Sequence, residues 1–197
     1  TVKYRANASA DGDTSAWIES AAFHLDGIDP AVTAVTVPLA ALYRLDNVLN
    51  FTIGLSEPVA VTGAPTLSLT LDTGPAAATY DSGSSTATAL VFTYAIQAAD
   101  NDTDGFLISD LAVNGGTVRD PAGHDLDLTL QNVGDTSGVR IAGGPLVFHV
   151  DATGGDDSND GRNWPTAMQS LQVAIDSSIQ GDQVWVKTGT HTPGANR

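Results

Sequence analysis

The residues best suited to chemistry in this chain are aspartates at alternate positions. Asp100, Asp102 and Asp104 precede Gly105, which gives the pattern D-x-D-x-D-G. Alternating carboxylates around a tight glycine turn suit a hard cation such as Ca²⁺, which takes about six to eight oxygen ligands. A complete EF-hand loop needs a bidentate Glu at its twelfth position, where this sequence has Leu111. The alternative is a solvated turn whose aspartates bond to their own backbone, and the pattern leaves both interpretations open.

Groups that could support catalysis are sparse. Four histidines lie in separate segments without metal-ligand spacing: His24, His124, His149 and His191. Cysteine is absent, which excludes disulfides, thiolate zinc sites and cysteine nucleophiles. Neither a phosphate-binding glycine loop nor a G-x-S-x-G elbow occurs, and paired carboxylates for glycoside cleavage cannot be selected without geometry. We therefore expect no catalytic residues and a protein that is not an enzyme.

Two further sets of residues favour structural roles. The aspartates of residues 156–160 lie in a polar segment and are expected in a surface loop. Trp17, Trp164 and Trp185 could form a platform on which sugars stack, but isolated tryptophans in β modules are more often core residues. We therefore expect these tryptophans in the core.

The charge balance of the chain excludes some classes of binding partner. The 197 residues include 8 Lys and Arg against 23 Asp and Glu, a formal net charge of −15. Nucleic acids and anionic membranes are bound through clustered Lys and Arg, so we expect no nucleic-acid partner. The sequence lacks the run of about 18 apolar residues that a membrane-spanning helix needs, so we expect no membrane insertion.

Apolar residues at alternate positions predict an all-β fold. Residues 48–55 place Leu49, Phe51 and Ile53 on one face, and the pattern recurs at residues 66–71 and 89–96. This period is typical of strands with one buried and one exposed face, as in a sandwich of antiparallel sheets. The predicted core residues are Leu49, Phe51, Ile53, Leu67, Leu69, Leu90, Phe92 and Tyr94.

The pattern changes on both sides of this central segment. Residues 26–30 have the composition of a linker, and residues 143–145 mark a second boundary. An apolar strand is expected at residues 146–150, a helix with Thr166 as its N-cap, and a further strand at residues 183–186.

Six motifs in the central segment occur together in one known type of module. They are LNFTI at 49–53, LSEPVAVTG at 55–63, PTLSL at 65–69, LVFTY at 90–94, DND at 100–102 and DPAGH at 120–124. This set resembles the bacterial Ig-like modules that occur in tandem in very large surface adhesins. The family usually has Asn where this chain has His124. The resemblance implies an Ig-like antiparallel β-sandwich over residues 30–143.

The first 29 residues carry a different set of signals. The motifs are YRANA at residues 4–8, DGD at residues 11–13 and the segment at residues 17–25. Residues 1–29 resemble the last two strands of a fibronectin type III module, and the resemblance implies a strand at residues 4–8, a turn at residues 11–13 and a final strand at residues 17–25.

The C-terminal segment has a third set. A GGDDSNDG loop at residues 154–161 precedes Trp164 and the motif DQVWVKTGT at residues 182–190. These features are similar to the opening of right-handed parallel β-helix proteins of the pectate-lyase-like class. The resemblance implies that residues 144–197 form a short capping helix and the first rung of a parallel β-helix.

These assignments imply incomplete modules at both ends. A β-helix rung buries its apolar face only against the next rung, and two strands of a sandwich likewise expose their inner face. We therefore expect the chain to be part of a larger protein, with neighbouring modules of the same polypeptide as its partners.

The adhesin resemblance also implies calcium at module junctions. Asp26 and Asp29 in the linker could meet an acid such as Asp46 or Asp125 there. The sequence alone does not pair these groups. The predicted cofactor is therefore Ca²⁺, bound either by the D-x-D-x-D-G carboxylates or by the linker carboxylates.

The expected function is a non-catalytic structural spacer in a large extracellular bacterial surface protein or adhesin. The alternative is an accessory region of a secreted β-helix enzyme that acts on polysaccharides and has its catalytic part elsewhere. A third hypothesis, a module that binds surface carbohydrate, requires an exposed aromatic platform.

Overall fold

A computed structural model of the chain describes residues 27–191 and the backbone of two short strands, Arg5–Ala6 (β1) and Ile18–Glu19 (β2). The two strands pair antiparallel. They fall within the segments expected to be strands near the N-terminus, whereas Asp26 lies outside the described residues. The fibronectin type III assignment therefore stays a prediction.

The described part of the chain is mostly β-structure, which confirms the all-β fold class. Its further strands are β3 (Val32–Thr36), β4 (Ala41–Arg44), β5 (Val48–Leu55), β6 (Ala60–Thr62), β7 (Thr66–Leu71), β8 (Gly74–Thr86), β9 (Ala89–Ala95), β10 (Asn101–Asp102), β11 (Leu107–Ala112), β12 (Thr117–Arg119), β13 (Val139–Ala142), β14 (Val147–Val150) and β15 (Gln183–Val186).

One antiparallel sheet of six strands dominates the fold, in the order β11-β7-β8-β9-β5-β3. A smaller sheet has the order β10-β13-β4, in which β13 runs parallel to β4. β6 pairs with β12, and β14 pairs in parallel with β15. The described strands therefore combine one large antiparallel sheet with several small ones.

The predicted register of the core is confirmed. Phe51 of β5 faces Phe92 of β9, and both side chains are fully buried. The same cluster contains the predicted leucines and Ile53, and it joins the large sheet to Val139 and Ile141 of β13. Tyr94 differs slightly, since it packs against the cluster but is only partly buried.

A second apolar cluster lies near the C-terminus. Phe148 and Val150 of β14 pack against Met168 and against Ala174 of the helix α1 (Leu171–Ser177). β14 and β15 are neighbours in a parallel sheet, and the segment that connects them contains this helix. The strand predicted at residues 183–186 is confirmed.

The predicted start of the helix is wrong. Thr166 ends a 3-10 helix (Trp164–Thr166), whose N-cap Asn163 accepts a hydrogen bond from the Thr166 backbone. Beyond it, the Met168 backbone donates to His149 and accepts from Asp151. These bonds hold the chain extended beside β14, so the α-helix begins only at Leu171.

Candidate functional site

Three carboxylates converge where the turn after β7 meets β10. Asp72 lies in that turn, Asp102 on β10 and Asp104 in the loop that follows. Each offers a carboxylate oxygen, and these three oxygens all lie within 4.8 Å of one another. Carboxylate oxygens at this spacing are suitable ligands for a hard divalent cation. The three aspartates could therefore hold a metal ion.

Backbone hydrogen bonds fix this acidic cluster. The Asp72 backbone N–H donates to Asp102 Oδ2 at 3.1 Å, and the Thr103 backbone N–H donates to Asp72 Oδ2 at 3.0 Å. The Gly105 backbone N–H donates to Asp102 Oδ1 at 2.7 Å. Gly105 has a φ of +100°, and a Cβ there would collide with the Thr136 carbonyl oxygen, so glycine is required. The turn and the loop consequently hold each other in place.

The electrostatics of Asp102 set it apart from the other aspartates. Its side chain is buried, and this desolvation raises the pKa of Asp102. Hydrogen bonds from the Asp72 and Gly105 backbone lower the pKa in opposition, while the charges of Asp72 and Asp104 raise it further. A carboxylate that loses solvation and faces two like charges is stabilised in its ionised form by a cation.

Asp100 is not brought into this cluster. Its Oδ2 accepts hydrogen bonds from the Tyr94 hydroxyl at 2.7 Å and from the Gln97 backbone N–H at 2.8 Å. Burial and the bond to Asp100 raise the pKa of Tyr94 to about 12. Asp100 thus holds the turn after β9 and is not a member of the cluster. Its expected place in the cluster is taken by Asp72, a residue that the sequence analysis did not identify.

The linker carboxylates stand apart from the cluster as well. Asp29 is exposed, and Asp26 lies outside the described residues. Asp125, one of the acids expected to meet them, bonds instead to Arg119 at 2.6 Å. The junction calcium site stays a prediction.

The aspartates of residues 156–160 behave as a surface loop. All three are exposed, and each accepts hydrogen bonds from nearby groups. Asp157 Oδ1, for example, accepts from the Gln169 and Ser170 backbone N–H groups just before α1. Their predicted structural role is confirmed.

A buried ion pair connects the small sheet to the C-terminal strands. Arg44 Nη2 of β4 lies 2.7 Å from Asp182 Oδ1, and the two side chains are 10% and 0% exposed. Asp182 also accepts hydrogen bonds from the Leu146 and Ile179 backbone N–H groups, and Arg44 Nε donates to the Ala142 carbonyl. Burial raises the pKa of Asp182, but these bonds outweigh it and lower the pKa overall.

Two tryptophans flank a histidine on the outer face of the β14–β15 pair. His149 and Trp185 are register partners, and their ring centroids lie 5.7 Å apart. The ring centroids of Trp164 and His149 lie 4.7 Å apart. Trp164 and Trp185 are 45% and 51% exposed, so the expectation that they are core residues is wrong. We call these three side chains the aromatic strip.

The face of the strand explains this exposure. Alternation along β14 turns Phe148 and Val150 inward, so His149 and its partner Trp185 point outward. Trp185 Nε1 donates to Gln183 Oε1 at 2.9 Å, which fixes the indole ring at the surface. Trp17, the third tryptophan, lies outside the described residues.

No similar protein supplies a function for these features. Comparison of the chain with protein-family models, with curated proteins and with solved structures finds no match. Among the described residues, no helix has the length and apolarity needed to cross a membrane.

The electrostatics of the acidic cluster predict a raised pKa for Asp102 that depends on the charge of Asp72. Asp102 is expected to titrate above the ordinary value of about 3.9. Because its pKa is raised on folding, its ionisation lowers the free energy of unfolding as pH rises from that ordinary value through its folded pKa. Asp72→Asn removes a like charge and should lower the pKa of Asp102, measured by carboxyl ¹³C NMR titration.

A matched control is Asp110→Asn, which removes an exposed carboxylate outside the cluster. It should leave the pKa of Asp102 unchanged. An Asp102 pKa at or below the ordinary value in the metal-free protein would contradict the burial and charge repulsion described above.

Proposed function

We propose that the chain is a non-catalytic spacer of a large extracellular bacterial surface protein or adhesin. In this proposal an Ig-like β-sandwich is followed by the start of a parallel β-helix. The observation that carries the proposal is the buried pair of Arg44 and Asp182, which connects the two parts. A spacer needs stiff junctions, and this pair supplies one.

The stiffness follows from the bonds of Asp182. Its carboxylate accepts hydrogen bonds from Arg44 of β4, from Leu146 before β14 and from Ile179 after α1. Rotation of the C-terminal part against the small sheet would break bonds to a buried charge. Such a charge left without its partner costs about 3–5 kcal/mol. Bending at this junction is therefore strongly disfavoured.

The Ig-like part of the proposal is supported by the packing of the alternate strand residues. Ig-like modules pack two sheets face to face through inward-facing residues of alternate positions. Here the alternate residues of β5, β7 and β9 pack in one cluster with Val139 and Ile141 of β13. The net charge of −15 would also keep tandem acidic modules apart and soluble.

Arg44→Met tests the junction. The variant leaves Asp182 buried without its cation, so the free energy of unfolding should fall by about 3–5 kcal/mol in urea denaturation. The control is Arg119→Gln, which removes an exposed ion pair with Asp125 and should cost less than about 1 kcal/mol.

Residual dipolar couplings test the spacer function itself. In the wild type, residues 31–142 and 146–186 should share one alignment tensor. In Arg44→Met the two segments should align independently, provided that both remain folded. Two independent tensors in the wild type would contradict a stiff spacer.

We further propose that the acidic cluster binds Ca²⁺. The three carboxylates provide oxygen ligands of the kind that Ca²⁺ prefers, and Asp102 is already oriented by its bonds from backbone N–H groups. Binding only to the folded state would stabilise the protein by about 2.7 kcal/mol at calcium 100-fold above the Kd.

Asp104→Asn separates ligation from simple charge repulsion. Asp104 is exposed, and its charge raises the pKa of Asp102, so removing it should raise the melting temperature slightly without divalent cations. With millimolar calcium at fixed ionic strength, the melting temperature of the variant should fall below that of the wild type, because the variant has lost a ligand.

The control for this experiment is again Asp110→Asn, which keeps all three ligands. An equal calcium response in wild type and Asp104→Asn would place the binding elsewhere. An equal response to magnesium or to added sodium chloride would leave these carboxylates as ordinary turn residues.

The aromatic strip favours a second function, binding of surface carbohydrate. Sugars present apolar C–H faces that stack on aromatic rings and hydroxyl groups that bond to polar neighbours. The strip offers two half-exposed indoles and the imidazole of His149, with the Gln183 amide beside Trp185. Asp151 and Lys187, two positions after His149 and Trp185, form an ion pair at 2.7 Å, which suits an uncharged ligand.

Trp185→Ala tests this function with neutral hexaoses of glucose and of xylose as probes. Loss of one stacking ring should weaken binding by about two- to tenfold, measured by quenching of the remaining tryptophan fluorescence. The control is Leu107→Ala, which removes an exposed apolar side chain on β11. Saturable binding that Trp185→Ala and Trp164→Ala leave unchanged would contradict a role for the strip.

A further inference from the structure

The Lys and Arg side chains of residues 27–191 divide into paired and unpaired groups. Three of them form ion pairs of 2.6–2.7 Å with an aspartate: Arg44, Arg119 and Lys187. Within that part of the chain, no carboxylate oxygen lies at ion-pair distance from Arg140 or Arg162. In a chain with a net charge of −15, two unpaired guanidinium groups are unexpected.

Both unpaired arginines line the same cleft. This cleft has a volume of about 480 Å³ and lies between the small sheet and the C-terminal part. Arg140 lies on β13 beside its register partner Leu42 of β4, and both line the cleft. Arg162 enters from the loop before the 3-10 helix, with its guanidinium carbon 5.4 Å from the centre of the Phe148 ring. The ring helps to hold that guanidinium in place.

The charges around the cleft only partly offset these two cations. Burial lowers the pKa of Arg162, and the charges of Arg44 and Arg140 lower it further, whereas the charges of Asp160 and Asp182 raise it. Asp160 also lines the cleft, but its Oδ1 accepts hydrogen bonds from the Thr166 hydroxyl and the Arg162 backbone N–H. The guanidinium N–H donors of Arg140 and Arg162 remain available to a ligand.

We propose that this cleft binds a small organic carboxylate. A planar guanidinium matches the geometry of a carboxylate and can bond to both of its oxygens. Ile141, Leu146 and Met168 form apolar walls for the remainder of such a ligand. The volume lies within the range of about 300–1,000 Å³ that is usual for small-molecule sites.

The acidic rim selects for a single negative charge. Asp102 and Asp160 both line the cleft and offset part of the charge of the two guanidinium groups, so the remaining positive charge suits a monoanion better than a dianion such as phosphate. This site goes beyond the spacer function and does not depend on it. It also differs from the aromatic strip, which faces outward on the β14–β15 pair.

The probes are phenylacetate, its neutral analogue phenylacetamide, and inorganic phosphate. Each is titrated into ¹⁵N-labelled protein at fixed ionic strength, with EDTA to keep divalent ions from the acidic cluster. The readout is the chemical shift of the arginine Nε–H groups. The test variants are Arg140→Gln and Arg162→Gln, and the control is Arg119→Gln, which lies outside the cleft.

Phenylacetate should bind saturably, with a Kd in about the millimolar range, and shift the Nε–H signals of Arg140 and Arg162. Phenylacetamide should bind at least about tenfold more weakly, since it lacks the charge-assisted bonds. Arg140→Gln should weaken phenylacetate binding by about tenfold, whereas Arg119→Gln should not change it.

Arg140→Gln decides the case if Arg162→Gln disturbs the packing on Phe148, because Arg140 is exposed and has no such contact. Unsaturable shifts, or binding that survives Arg140→Gln unchanged, would overturn the proposal. Phosphate binding as tight as phenylacetate binding would overturn the preference for a monocarboxylate.

Discussion

The arrangement of the C-terminal part depends on one buried ion pair. The side chain of Asp182 has no exposed surface, and its carboxylate is satisfied by Arg44 and by two backbone N–H groups from different segments. Apolar residues of similar volume could stabilise this junction equally well, but they would lack the directional bonds that Asp182 accepts from Arg44, Leu146 and Ile179. Both members of the pair also act on Arg162 in the neighbouring cleft, since the charge of Arg44 lowers its pKa and the charge of Asp182 raises it. The pair thus sets both the geometry and the electrostatics of the junction.

The acidity of the chain is largely used to hold turns. Asp120 and Asp135 accept backbone N–H bonds within two to four residues. Burial raises the pKa of Asp120, but its bonds to the His124 side chain and to nearby backbone N–H groups lower it overall, and bonds from Ser137 lower the pKa of Asp135. A lowered pKa means that these groups stabilise the fold above the ordinary aspartate value and lose that effect as pH falls through their folded pKa. Asp102 has the opposite shift, because burial and two like charges outweigh its backbone bonds. This contrast distinguishes a candidate ligand from a capping aspartate.

Period-two alternation predicted the core strands because the side-chain period of a strand is fixed by its backbone. It placed Phe51 and Phe92 correctly in one cluster. It could not predict Asp72, since the contact of this residue with Asp102 joins positions 30 apart through the packing of two strands. Nor could it predict that the carboxylate of Asp100 would accept a hydrogen bond from Tyr94 of β9 instead of joining the cluster. The aspartate side chains indicated a possible cation site, but tertiary contacts decided which aspartates form it.

The same alternation explains why the tryptophans were placed wrongly. An apolar residue in a strand can lie on either face, and the sequence of β15 alone, with apolar residues at three consecutive positions from Val184 to Val186, does not select one. Pairing with β14 selects it, because Phe148 opposite Val184 turns inward and His149 opposite Trp185 turns outward. Two positions after Trp185, the exposed Lys187 lies on the same face and pairs with the buried Asp151. The inward face instead packs against Met168 and Ala174, which leaves the aromatic strip separate from the cleft and the acidic cluster.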